Sequence, residues 1–168
     1  MKKIVVIGAG TMGNGITHVF AQNGFKVTMI DISMEALEKA KNTIASNLDR
    51  MVKKEAITEE TKQATLANIS ISTSLSDSGT DADLMVEAAS ERMDIKLKIF
   101  MEADQILPAH AILASNTSSI SITKIASATQ RPDKIIGMHL RNPVPVMKLV
   151  EVIRGYATSD ETTNLTMD

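Results

Sequence analysis

Short apolar runs alternate along this chain with longer stretches of helical spacing. The first run, Lys3 to Ile7 (KIVVI), is β-branched and stops at a glycine, the pattern of a strand buried on both faces of a parallel sheet. From Met12 to Gln22 the residues Ile16, Val19 and Phe20 share one helical face, and Gly24 stands where a helix C-terminus is capped. A second strand, Lys26 to Asp31, follows at once. The three pieces make a β-α-β unit of about 30 residues, whose crossover should be right-handed.

Leu37, Ala40, Ile44, Leu48 and Met51 then step by three and four, predicting a long helix from Met34 to Lys54. Thr58, followed by Glu59 and Glu60, opens another helix, and the two are expected to lie antiparallel as a pair. Apolar runs recur at Ile69 to Ile71, Leu84 to Val86, Ile112 to Leu113 and Ile135 to Met138, with helical segments from Ile95 to Ile106 and Ile122 to Ala126 between them. A last run alternates from Val146 to Ile153, setting Met147, Leu149, Glu151 and Ile153 on one face and Val146, Lys148, Val150 and Val152 on the other. Strand and helix keep alternating, which predicts an α/β fold with a doubly wound, mostly parallel sheet and a long helical pair inserted after the second strand. Residues 1–157 read as one domain and 158–168 as a polar tail.

Composition narrows the function more than the fold. With 168 residues, 43% hydrophobic and 23% charged, the chain has material for one well-packed core. Lys and Arg number 18 against 20 Asp and Glu, a net charge of -2, which lacks the basic excess of a nucleic-acid or anionic-membrane surface. The absence of cysteine removes disulfides, thiolate metal sites and cysteine nucleophiles. No apolar run approaches the roughly 18 residues of a membrane span, so no membrane partner and a cytoplasmic location are expected.

The first chemistry lies between the first strand and first helix, where Gly8-Ala9-Gly10-Thr11-Met12-Gly13 forms a G-x-G-x-x-G. In that setting Gly8 permits a tight turn, Gly10 lets the backbone approach a pyrophosphate, and Gly13 lets helix and strand pack closely. Free N–H groups at the helix start, including those of Thr11 and Met12, then face the phosphates. Asp31 ends the second strand at the spacing of an acidic group that accepts the adenosine ribose hydroxyls. A carboxylate there repels a 2′-phosphate, and neither Ile32 nor Ser33 offers an arginine for one. The fold is therefore Rossmann-type and the cofactor NAD.

Ligands in such sheets bind beyond the carboxyl ends of the strands, which directs attention to Ser115-Asn116-Thr117-Ser118-Ser119 after the fifth strand and His139 after the sixth. His18, inside the first helix, and His110, in a loop, have structural or surface roles. The segment from His139 to Pro145 contains two prolines that stiffen Asn142 to Pro145. If the last strand doubles back with Glu151 inward, that carboxylate needs a partner, and His139 is the one nearby. Alternatively Glu151 sits in water at an edge and Lys148 faces inward with its amine snorkelling out. In the first arrangement an NAD enzyme oxidising an alcohol would take its base from His139, oriented by Glu151, with Ser118 bonding the reacting oxygen.

With the glycine loop, the ASNTSSISIT stretch and the NPVPVMKLVEVIRG stretch in this order, the chain resembles the 3-hydroxyacyl-CoA dehydrogenases from Met1 to about Ser159. The resemblance implies His139 as general base, Glu151 as its partner, and Ser118 as a contact to substrate and nicotinamide. It implies that Glu91 and Lys96, which by sequence alone read as a solvated helix start, reach the nicotinamide side together with Asn142. It also implies an acyl-CoA substrate, with the helical pair as a coenzyme A clamp in which Lys54 and Asn47 contact the ligand; Lys53 and Lys54 otherwise read as an exposed helix end. Two departures stand out. Leu140 and Arg141 replace the family's usual large apolar pair, and the family's C-terminal helical domain, through which full-length members dimerise, is expected to be absent.

Overall fold

The structure is a computed structural model and describes residues 3–88, 92–115, 119–140 and 150–154. Its strands are β1 (Lys3–Ile7), β2 (Lys26–Ile30), β3 (Ile69–Ser72), β4 (Leu84–Glu87), β5 (Ile112–Ser115), β6 (Ile135–Leu140) and β7 (Val150–Arg154). They form one sheet in the order β3-β2-β1-β4-β5-β6-β7. All neighbours are parallel except the last pair, where β7 runs antiparallel to β6.

The helices are α1 (Thr11–Gln22), α2 (Met34–Lys53), α3 (Glu59–Ala67), α4 (Leu75–Ser78), α5 (Met93–Ile106) and α6 (Ser119–Ser127). Alternate residues of β1 divide the core between the two sides of the sheet. Ile4 and Val6 pack with Ile16 of α1 and with Leu37, Ile44 and Leu48 of α2. Val5 and Ile7 pack with Phe100 and Ala103 of α5 and with Ile122 and Ile125 of α6. A strand whose every residue meets a helix layer must be apolar throughout, as KIVVI is.

The helix starts follow local chemistry. The Ser33 hydroxyl accepts from Ala36 N–H to cap α2, and the Thr58 hydroxyl accepts from Thr61 N–H to cap α3. At the end of α2, Ala56 N–H reaches Met51 C=O and Glu55 N–H reaches Val52 C=O, a Schellman closure that holds Glu55 at φ 58. Between α2 and α3, Lys62 forms an ion pair with Asp49. Asn14 Nδ2 donates to Ala40 C=O at 3.0 Å, tying α1 to α2.

Arg131 organises the far side. Its guanidinium bonds Asp104 Oδ1 at 2.7 Å and the carbonyls of Asp104, Leu107, Pro108 and Ala111, tying the end of α5 to the segment that leads into β5.

Several boundaries differ from the sequence reading: β2 stops at Ile30, so Asp31 follows it, while β4 and β5 run on through Glu87 and Ser115, so Ser115 ends its strand. α4 is a four-residue turn of helix that no periodicity announces. His139 lies within β6 and does not follow it, because β7 supplies ladder partners to Leu140, beyond the Gly137 position where pairing with β5 stops. Residues 141–149 and 155–168, which include Arg141, the prolines and the polar tail, lie outside the described residues. Among the described residues no helix is long and apolar enough to cross a membrane.

Candidate functional site

The glycine loop joins β1 to α1 at the carboxyl edge of the sheet. Gly8 has φ 111, in the region that side chains avoid, and its N–H bonds Ile30 C=O at 2.7 Å. A Cβ built on Gly13 would lie 1.9 Å from Gly8 C=O, so only glycine lets the helix come this close to the strand. Among the described residues, a Cβ on Gly10 would meet nothing within 4 Å. Gly10 is also the N-cap of α1, and the first turn of that helix holds no acidic residue. The positive end of the helix therefore faces open space, the electrostatic setting for phosphate. Thr11 and Met12 are the first two residues of this helix.

Asp31 follows β2 directly. Its Oδ2 accepts from Ala9 N–H at 3.0 Å and its Oδ1 from Ser33 N–H at 3.0 Å, so one carboxylate clips the glycine loop to the start of α2. Beside it a cavity of about 490 Å³ opens between Gly8, Asp31, Ile32, Thr73, Ile95 and Ile99. Ile32 is 97% exposed and Ile95 37%, giving the cavity apolar walls. That volume lies within the range of cofactor and ligand sites. The open backbone at Gly10, the unopposed helix terminus, the acceptor carboxylate and the adjoining cavity together fit a dinucleotide.

The carboxyl ends of β4 and β5 hold a second polar group, and it is buried. Lys96 of α5 is 3% exposed, and its Nζ lies 2.6 Å from Oε1 of Glu87, which is 0% exposed. Ser115 Oγ donates to the same Oε1 at 2.8 Å and accepts from Nζ at 3.4 Å. The reading of Lys96 as a solvated helix start is thus overturned: Lys96, Phe100 and Ala103 form the buried face of α5. Sequence reasoning missed Glu87, and noted Ser115 only as the first residue of the polar stretch after the fifth apolar run. The available signal was the helical spacing of Lys96 with two core residues, which marks a lysine that must find an anion.

At the last strands the backbone register sets His139 opposite Glu151. Directly opposed residues of an antiparallel ladder occupy one face of the sheet. Glu91, Ser118 and Asn142 lie outside the described residues. Lys54 is the exposed C-cap of α2, and Asn47 is half-buried two turns earlier on that helix. His18 is fully buried, with Nε2 3.0 Å from Gln22 Oε1 and Nδ1 without a partner. Burial lowers its pKa below the usual histidine value, partly opposed by the Gln22 bond. His110 is exposed, 2.8 Å from Asp83 Oδ1.

Residues 3–168 match the family described as 3-hydroxyacyl-CoA dehydrogenase, NAD binding domain. The chain is 51% identical over 162 residues to the 3-hydroxybutyryl-CoA dehydrogenase of Bradyrhizobium diazoefficiens, covering 96% of this chain and 55% of that one. It is 49% identical to a probable 3-hydroxybutyryl-CoA dehydrogenase of Bacillus subtilis, covering 96% of this chain and 56% of the relative. The crystal structure of (S)-3-hydroxybutyryl-CoA dehydrogenase from Ralstonia eutropha superposes with a TM-score of 0.94 at 51% identity, over 99% of this chain and 58% of that one. The chain thus spans about half the length of the curated relatives it matches.

Proposed function

Because the chain belongs to the 3-hydroxyacyl-CoA dehydrogenase family and matches its NAD-binding domain, we propose that it serves the NAD-dependent interconversion of short-chain 3-hydroxyacyl-CoA and 3-oxoacyl-CoA, with 3-hydroxybutyryl-CoA and acetoacetyl-CoA as the pair. The observation that carries the reading is the register of His139 against Glu151 in the same sheet that bears the dinucleotide cradle. NAD, when bound, supplies the hydride acceptor. The backbone from Gly8 to Gly13, with Thr11 and Met12, receives the pyrophosphate, and Asp31 receives the adenosine ribose. Ile32 and Ile95 wall the adenine. Glu91, Lys96, Ser118 and Asn142 border the nicotinamide half.

His139 takes the hydroxyl proton as the alcohol is oxidised, and Glu151 holds the imidazole in place and stabilises it once protonated. Ser118 bonds the reacting oxygen. Lys54 and Asn47 contact the coenzyme A portion; the exposure of Lys54 at the end of α2 supports this assignment.

The test is NADH oxidation by this chain with acetoacetyl-CoA, followed by NADH absorbance. Turnover that His139→Gln abolishes while NADH affinity persists would support the assignment. Loss of acetoacetyl-CoA affinity in Lys54→Glu would support the clamp, and unchanged kinetics would refute it. NADH binding without turnover would instead identify a dinucleotide-binding module that does not catalyse by itself.

A further inference from the structure

Glu87, Lys96 and Ser115 form a buried triangle, of which the roles above use only Lys96. The triangle sits at one place in the sheet: Glu87 and Ser115 are register partners and the last residues of β4 and β5. A buried ion pair is a poor device for stability, since apolar residues of similar volume do as well or better. Its position suggests a different use. With the adenosine at the end of β2 and the pyrophosphate on α1, a dinucleotide runs its remaining half over β4 and β5. That half carries the ring whose charge differs by one unit between the oxidised and reduced cofactor.

We propose that Glu87 and Lys96 are a charge-balancing pair beneath the nicotinamide half of the site. The inference rests on the dinucleotide reading above. The Lys96 ammonium ties β4 to β5 by bonding Glu87 and Ser115, and the Glu87 carboxylate cancels the positive field that this ammonium would otherwise direct at a cationic ring. Ser115 holds the carboxylate oxygen in place and contributes no charge. Without Glu87, the site would discriminate against NAD+ in favour of NADH. Without Lys96, the bias would reverse.

The experiment is the ratio of NAD+ to NADH dissociation constants, with NADH measured by fluorescence titration and NAD+ by displacement of NADH. Glu87→Gln should raise the ratio and Lys96→Met should lower it, each severalfold, as expected of one unbalanced charge acting through an effective dielectric of about 20. The double variant Glu87→Gln with Lys96→Met, and Ser115→Ala, should keep the wild-type ratio. Each ratio comes from one preparation, so a lowered folded fraction affects both constants alike. Equal weakening of both cofactor forms by the single variants, or shifts in the same direction, would overturn the proposal. If neither single variant folds, the double variant decides, because a severalfold change of ratio with both charges gone would overturn it equally. Wild-type protein that binds neither form would instead refute the dinucleotide reading on which the proposal stands.

Discussion

Gly13→Ala and Gly10→Ala separate folding from cofactor binding within one loop. At position 13 the new methyl would begin 1.9 Å from Gly8 C=O, against a floor of 3.0 Å for real Cβ contacts. The obstacle is backbone, so α1 must retreat by about 1 Å or the Gly8 turn must open. Overpacking of this kind costs about 2 kcal/mol, which corresponds to a fall in melting temperature of roughly 4–8 °C for a chain of this size. The same retreat lengthens hydrogen bonds from the helix start to a phosphate past useful range. Losing one charge-assisted bond of about 1.5–3 kcal/mol weakens NADH binding by tenfold or more. At position 10 the backbone has φ -74 and no described residue lies within 4 Å of the new methyl, so stability should change by no more than about 0.5 kcal/mol. NADH affinity should nevertheless fall about as far, because the methyl occupies the space a pyrophosphate needs. Urea unfolding by circular dichroism and NADH fluorescence titration read the two quantities separately. Wild-type NADH affinity in Gly10→Ala would refute the assignment of that open space to phosphate, and wild-type stability in Gly13→Ala would refute the helix–strand packing.

Three further outcomes follow from the packing. Arg131→Ala should lose about 3 kcal/mol in urea unfolding, because it removes the cation paired with Asp104 and the donors to four carbonyls between Asp104 and Ala111; a loss below about 1 kcal/mol would show that water replaces the guanidinium. Glu55→Gly should gain about 0.5–1 kcal/mol, the cost of a side chain at φ 58 less the greater freedom of glycine in the unfolded chain. His18, whose pKa burial lowers in the folded state, stays neutral there while the unfolded chain takes up a proton below about pH 6.5. Stability should therefore fall as pH drops through that value, and His18→Gln should show a shallower fall; equal slopes would place the acid sensitivity elsewhere.

The sheet was legible because its strands are short, apolar and punctuated, and because a helix face such as Leu37, Ala40, Ile44 and Leu48 repeats in one dimension. The glycine loop was legible for the same reason: its chemistry is local. Glu87 carries no such mark, and Ser115 is marked only as the start of a polar stretch. Each ends an apolar run and becomes informative only when parallel pairing brings positions 28 apart into register around a lysine from an intervening helix. Arg131 is similar, since its partners are carbonyls, which have no residue type to recognise. The end of β6 escaped for a geometric reason. The apolar run stops at Met138, while the strand continues as far as its antiparallel partner can bond it.

The clip made by Asp31 bears on how freely cofactor preference can be redesigned. Its two oxygens each accept one backbone N–H, from Ala9 and Ser33, and an ionised carboxylate has about four lone-pair sites, leaving room for ribose hydroxyls without giving up either bond. Asparagine or arginine at this position, the obvious change toward a phosphorylated ribose, would turn a donor toward a backbone N–H and release the glycine loop from the start of α2. A preference switch here needs a second substitution that restores the clip, so the chain is constrained at position 31 by its own architecture as much as by the ligand it recognises.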